Sequence, residues 1–157
     1  MRTYWDAPVK KSDIRRRFKR LIGACSGLGL LLIRYHIIDN AYFGVYLHKL
    51  NQSDEERAQH DHPWSFFSII LTRGYTEVTP EMNDGSAIFG EQRKFYPRFS
   101  ILFRPAEHIH RLEMEGPVWT LVLRGPDRRE WGFWPMNPLV GVRQWMHHVE
   151  YGEKFCE

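Results

Sequence analysis

Cysteine is scarce in this chain, and it has no long apolar run. Two cysteines, Cys25 and Cys156, lie near opposite ends of 157 residues. So few cysteines exclude a disulfide framework or a cysteine-rich zinc module, and they fit a reducing compartment. The apolar run of residues 21–33 is too short to cross a bilayer. It continues through Arg34 without the polar region that ends a signal peptide, so we expect a cytoplasmic protein without a transmembrane segment.

Net charge is also small, +3, and the basic residues are concentrated in one segment. Residues 10–20 carry seven basic groups and one acid, a balance of +6, so the rest of the chain sums to −3. A general nucleic-acid-binding surface is therefore not expected. The sequence also has no phosphate-binding loop, nucleophile motif or dinucleotide fingerprint. We expect a small molecule as the partner, and a homodimer remains open.

The basic segment has the pattern of an amphipathic helix. Ser12 and Asp13 are suitable N-cap residues, and apolar residues recur at helical spacing from Ile14 to Cys25. The pattern predicts a helix over about 13–26, with the basic residues on its other face. Such a helix packs against the core with a solvated basic face, or it contacts an anionic partner or a lipid surface.

After residue 30 the sequence changes to short segments rich in β-branched and aromatic residues. Each is bounded by glycine, proline or asparagine, and the segments are 41–50, 64–78, 98–105, 108–114 and 118–126. The stretch "NDGS" adds a strong hairpin turn signal. Short strands at this spacing, without helical segments between them, predict an all-β barrel or sandwich.

Two pairs of histidines have the spacing of side chains on one face of a strand. His60 and His62 stand in "HDHPW", and His108 and His110 repeat the spacing in "PAEHIH". Two imidazoles on one face can bind the same metal ion, but a site needs at least three protein ligands. Either histidine of the second pair can complete the set. The alternative is that His60 and His62 only form hydrogen bonds at a loop edge.

These two stretches resemble the two motifs of the cupins. The first cupin motif has two histidines with one residue between them, a glutamate four or five residues later and a glycine seven after that, which resembles His60 to Gly74. In the second motif a proline comes five residues before the metal-binding histidine, as Pro105 does before His110. The resemblance implies that His60, His62 and His110 are the metal ligands and the catalytic centre.

The resemblance extends over about 45–135, where the chain is similar to small uncharacterised bacterial and phage cupins. It implies an all-β fold, a double-stranded β-helix or cupin jelly-roll barrel, beside the predicted N-terminal helix. We expect a basic helix and lead-in over 1–40, the barrel over 41–140, and a C-terminal tail over 141–157 that can form a short helix.

The chain also departs from the cupin pattern. When Gly74 is aligned with the motif glycine, Phe67 takes the place of the glutamate ligand. The remaining set of three histidines is similar to that of thiol dioxygenases, which implies Fe(II) and a mononuclear non-haem iron dioxygenase. Zinc, nickel or manganese are alternative metals, and Glu77 is an alternative fourth ligand. Two other functions stay open: a non-catalytic cupin that binds a small molecule or a protein, and a cupin isomerase or lyase.

Five further residues are candidates for substrate binding because their position or chemistry suits a pocket: Trp64, Phe66, His48, Arg104 and Arg124. The two aromatic residues share the strand parity of His60 and His62, although they can also be simple barrel core. The arginines can bind a carboxylate in a bidentate way. Asp61 alternates away from the histidines and is expected to face solvent or to cap the preceding turn.

Overall fold

Short strands make up most of the protein. The computed structural model describes residues 19–23, 30–53, 58–83, 86–137, 139 and 141–155. Within these ranges the chain forms fourteen strands and one helix. They are β1 Lys19–Gly23, β2 Leu30–Asp39, β3 Gly44–Leu50, β4 Gln59–His60, β5 Phe66–Ile70, β6 Gly74–Asn83, β7 Ser86–Pro97, β8 Ile101–Arg104, β9 Arg111–Glu113, β10 Val118–Arg124, β11 Gly132–Trp134, β12 Met136–Asn137, β13 Val142–Arg143, β14 Met146–His147 and α1 His148–Phe155.

The strands form two layers of antiparallel sheet. The first layer has six strands in the order β1-β2-β3-β10-β5-β8. The second layer contains the groups β14-β11-β4 and β12-β13-β7-β6-β9, which a main-chain bridge between His60 and His110 joins edge to edge. This arrangement confirms the expected all-β class, and the short C-terminal helix is present as α1.

The predicted N-terminal helix is wrong where the structure describes it. Residues 19–23 form β1, which pairs with β2 from Lys19↔Tyr35 to Gly23↔Leu30. The other residues of the predicted range 13–26 lie outside the described residues. Apolar spacing is a weak guide here because a neighbouring strand that offers a full ladder of hydrogen bonds overrides local propensity. Residues 30–39 belong to the expected lead-in, but the same ladder of hydrogen bonds makes them a strand of the first layer.

The core lies between the two layers because alternate side chains of each strand point inward. On β10, Val118, Thr120 and Val122 are buried. Val122 stands opposite Tyr46 of β3 and packs with Trp64 and Phe66 in one apolar cluster. Burial of each such large side chain stabilises the fold by about 1.5–3 kcal/mol, so the cluster holds β3, β5 and β10 together.

The described part of the chain contains no helix with both the length and the apolar character of a membrane span.

Candidate metal centre

Three histidines from two distant segments meet at the joint in the second layer. The main chains of His60 and His110 exchange two hydrogen bonds, of 2.9 and 3.0 Å. Their ring centroids are 5.1 Å apart, and the ring of His62 lies 5.0 Å from His60 and 5.1 Å from His110. Each ring offers one nitrogen, and these three atoms lie within 4.8 Å of one another. The structure thus brings together the three histidines proposed from sequence as ligands.

Two of these imidazoles are held in the neutral form. Burial lowers the pKa of His62 well below its usual value, and the neighbouring histidines and Arg34 lower it further. Burial also lowers the pKa of His110, although Glu77 opposes that shift. A neutral imidazole has a lone pair on one nitrogen, which is the form that binds a metal ion. Nε2 of His62 and Nε2 of His110 are 2.9 Å apart.

Glu77 of β6 lies behind His110, on the side away from His62. Its Oε1 is 2.6 Å from Nδ1 of His110 and 3.0 Å from Nε2 of His108. Arg104 donates to both carboxylate oxygens. Burial alone would raise the pKa of Glu77, but the hydrogen bonds from His108, His110 and Arg104 hold it well below its usual range. The carboxylate is therefore ionised and accepts the proton of Nδ1, which leaves the lone pair of His110 on Nε2, towards His62.

The position of Glu77 bears on its proposed role as a fourth ligand. Glu77, His108 and His110 form a second group whose ligand atoms also approach within 4.8 Å. In that group the carboxylate is already paired with Arg104, and His110 faces it through Nδ1. The contact therefore makes Glu77 a hydrogen-bond partner that orients His110.

Phe66 faces the histidines, whereas Phe67, which the alignment with the cupin motif placed at the glutamate position, does not. The Phe66 ring lies 4.9 Å from the ring of His62 and 6.4 Å from that of His110, and its side chain is buried. Phe67 is 50% exposed and packs on Phe103 at the outer surface. A turn between β5 and β6 separates Phe67 from Gly74. In that turn Arg73 has a φ of 53°.

The histidines open into a cavity of about 470 Å³ between the layers. Of the five residues proposed for substrate binding, four line this cavity: Trp64, Phe66, His48 and Arg124. His48 is buried and accepts a hydrogen bond of 3.0 Å from Nε of Arg34. Burial, together with the positive charge of Arg34, lowers the pKa of His48 well below its usual value. Arg34 also lines the cavity and was not singled out by sequence reasoning.

The two arginines proposed for substrate binding differ in position. Arg104 lies outside the cavity lining, since its guanidinium binds Glu77. Arg124 lines the cavity, donates from Nε to Oη of Tyr46 at 2.8 Å and pairs with Asp39. These contacts fix the guanidinium of Arg124 at the cavity wall.

Asp61 does not face solvent, contrary to the expectation from strand alternation. It is 1% exposed and accepts hydrogen bonds from the main chain of Gly132 and the indole nitrogens of Trp134 and Trp145. Arg129 pairs with the same carboxylate at 3.0 Å. The side of β4 opposite the histidines is therefore covered by the C-terminal segments, which strand alternation alone could not reveal.

Comparison with known proteins identifies the fold. No protein-family model and no curated protein match the chain. Among solved structures, the polyketide cyclase RemF from Streptomyces resistomycificus is similar with a TM-score of 0.54 and 13% identity, covering 90% of this chain and 91% of that one. Fe(II)-HppE with its alternative substrate (S)-1-HPP gives a TM-score of 0.51 and 8% identity, covering 74% and 62%. A cupin superfamily protein from Desulfitobacterium hafniense gives 0.46 and 15%, covering 61% and 78%.

At these identities the likeness shows the fold alone. The fold is a cupin-type β-barrel, so the resemblance read from the two histidine motifs is confirmed at that level.

Proposed function

We propose that the protein is a metal-dependent enzyme that holds one divalent ion on His60, His62 and His110 and acts on a small molecule in the adjoining cavity. The observation that carries the proposal is the convergence of three imidazole nitrogens at the cavity wall. An ion between these imidazoles would use the lone pairs of all three rings at once, which a hydrogen bond between two of them cannot do.

The donor set fits a metal ion. Metal–imidazole bonds of about 2.1 Å place two neighbouring ligand nitrogens roughly 3 Å apart, and Nε2 of His62 lies 2.9 Å from Nε2 of His110. Neutral imidazoles suit iron, zinc, nickel and copper, and three of them leave further coordination positions open. Glu77 supplies the carboxylate partner that metal-binding histidines commonly have on their other nitrogen.

Among these metals we propose Fe(II), with a dioxygenase reaction on a small polar substrate. When bound, ferrous iron supplies one-electron and dioxygen chemistry. The chain's own residues would do three things around it. Trp64 and Phe66 exclude water from the ion, Glu77 keeps a proton on Nδ1 of His110, and Arg124 offers a positive charge to an acidic substrate group. The proposal is supported by a fold shared with Fe(II)-HppE.

A second candidate is a reaction without dioxygen, such as a cyclisation, isomerisation or lyase step, in which zinc, nickel or manganese polarises a carbonyl. It is supported by the fold shared with a polyketide cyclase over 90% of this chain. The aromatic side chains of the cavity, Tyr46, Trp64, Phe66, Tyr75 and Trp131, suit an aromatic substrate.

Elemental analysis of protein purified without added metal tests the first step. We expect close to one divalent ion per chain. Oxygen uptake with a panel of thiols and small acids then separates the two reactions. Full occupancy by zinc without oxygen uptake would favour the second candidate, and a folded protein that binds no metal would contradict both metal-dependent candidates.

Three histidine variants identify the ligands. His62→Ala should lose most of the bound metal, whereas the matched variant His108→Ala should keep it, because only the former removes a member of the three-histidine group. His110→Ala should lose metal while the protein stays folded. The reverse pattern for the first two variants would assign the ion to the group that contains Glu77.

A further inference from the structure

The outer face of the six-stranded layer is apolar across five strands. Cross-strand pairing places its outward side chains in three rows. The first row contains Phe103, Phe67, Leu123, Val45 and Ile38, the second contains Ile101, Ile69, Leu121, Leu47 and Tyr35, and the third contains Trp119, Lys49 and Ile33. We call these thirteen residues the outer apolar face.

The packing within the outer apolar face confirms that its members share one surface. The rings of Phe67 and Phe103 have centroids 4.9 Å apart, and those of Tyr35 and Trp119 stack at 6.0 Å. One member of the thirteen is charged, Lys49, and its amino group lies 5.9 Å from the Trp119 ring. The inward neighbours on the same strands are the buried side chains of the core and the cavity.

Five members of the face are strongly exposed in this chain. Their exposed fractions run from 41% to 68%, for Phe67, Phe103, Ile101, Leu123 and Ile38. At about 200 Å² for each large side chain, these five expose roughly 500 Å² of apolar surface. That already equals the largest apolar patch of a typical monomer, and the eight partly exposed members add to it.

An antiparallel sheet that faces water on one side normally alternates apolar and polar residues, with the polar ones outside. Here the outward side chains of β3, β10 and β5 are apolar apart from Lys49, the reverse of that pattern. Outward apolar residues of this kind are typical of a sheet that is covered on both sides. We therefore expect another layer to cover this face.

We propose that the outer apolar face is the interface of a homodimer, in which two copies pack their six-stranded layers face to face about a two-fold axis. A two-fold interface sets the same surface against itself, so any cluster of like charge would repel its symmetry mate. The outer apolar face avoids such repulsion because the one charged residue among its thirteen members is Lys49, in the third row. The side chains of two apolar sheet faces can interdigitate at about 10 Å separation.

The size of the face also suits a second copy. A stable interface buries about 800 Å² on each partner, and the five strongly exposed members supply more than half of that before the other eight are added. The exposed members are large, rigid side chains on paired strands, which lose little conformational freedom on association.

Sedimentation velocity of the full-length protein over a range of concentrations tests the proposal. We expect a dimer for the wild type. Phe103→Lys and Ile101→Lys each bury a charge at the interface and should weaken dimerisation by roughly 100-fold or more. Phe95→Lys is the matched control because Phe95 is 62% exposed on β7, in the other layer; it should leave the dimer intact.

Thermal unfolding and metal content of each variant separate this proposal from the metal site. Monomeric Phe103→Lys protein should unfold cooperatively and bind metal as the wild type does. A wild type that stays monomeric at all concentrations overturns the proposal, and the face is then covered by a different protein or by another part of this chain. A dimer that survives both Phe103→Lys and Ile101→Lys overturns it equally, since the dimer then uses another surface.

Discussion

Oε1 of Glu77 lies 2.6 Å from Nδ1 of His110 and 3.0 Å from Nε2 of His108. One buried carboxylate oxygen therefore contacts both histidines of the second pair. Of these two, His110 also belongs to the group formed with His60 and His62, and His108 does not. The arrangement distinguishes two histidines that the sequence presents as equivalent.

Replacing Glu77 tests whether this contact orients His110. In Glu77→Gln the negative charge is lost, and the neutral amide holds the proton on Nδ1 less strongly than the carboxylate does. We expect the affinity for a divalent ion to fall by about 10- to 100-fold, as for other partners of metal-binding histidines. Metal titration by calorimetry measures it, with Glu107→Gln, at an exposed glutamate, as the control. An unchanged dissociation constant would mean that Glu77 has no part in the site.

Substitution of Phe66 tests whether a carboxylate at this position can join the histidines as a metal ligand. Phe66→Glu places a carboxylate next to His62 and His110, whereas Phe67→Glu places one on the exposed outer surface. Without metal, Phe66→Glu should lower the free energy of unfolding by about 3–5 kcal/mol because it buries an unpaired charge. With a divalent ion, the melting temperature should rise more than in the wild type. Equal metal responses of the two variants would contradict the assignment of position 66.

The buried His48 predicts a pH dependence of stability. Its pKa in the folded protein lies well below the usual 6.5, so the unfolded chain binds a proton that the folded protein excludes. Stability is then complete above pH 6.5 and is lost as pH falls below that value towards the folded pKa. One such group contributes a slope of about 1.4 kcal/mol per pH unit.

Denaturant unfolding of the metal-free protein between pH 7 and pH 5 measures this slope. His48→Gln removes the titrating group and keeps a side chain that can accept from Arg34. We expect its free energy of unfolding to fall less steeply with acidification than that of the wild type. Parallel curves for the two proteins would show that His48 titrates alike in the folded and unfolded states.

Asp61 is expected to be a determinant of stability. Asp61→Ala removes the acceptor of one main-chain and two indole hydrogen bonds and leaves Arg129 without its carboxylate. The free energy of unfolding should fall by about 3–5 kcal/mol. Asp127→Asn is the control because that side chain is 74% exposed, and it should change stability by less than about 0.5 kcal/mol. A similar loss in both variants would refute the structural role of Asp61.

Local pattern was sufficient for the features that depend on strand alternation. The shared face of His60 and His62 and the inward parity of Trp64 and Phe66 follow from side chains that alternate along strands. Alternation left His108 and His110 equivalent, and the choice of His110 came from the resemblance to the second cupin motif. The cavity-lining position of His48 followed from the same alternation on β3.

Features that depend on partners far away in sequence were missed. The segment 19–23 has helical spacing, and only its pairing with β2 makes it a strand. The burial of Asp61 requires the strands after residue 130, and the contact between Glu77 and His110 requires β6 to pair beside β9. Arg104 was grouped with substrate-binding residues because its sequence position gives no sign of the carboxylate it meets.

The main-chain bridge between His60 and His110 ties two ligand-bearing segments together independently of any ion. The entropy loss of bringing those two imidazoles together is therefore part of folding and not of metal binding. A preorganised site of this kind should bind a metal ion rapidly after the chain has folded. It should also keep its shape when a chelator removes the ion.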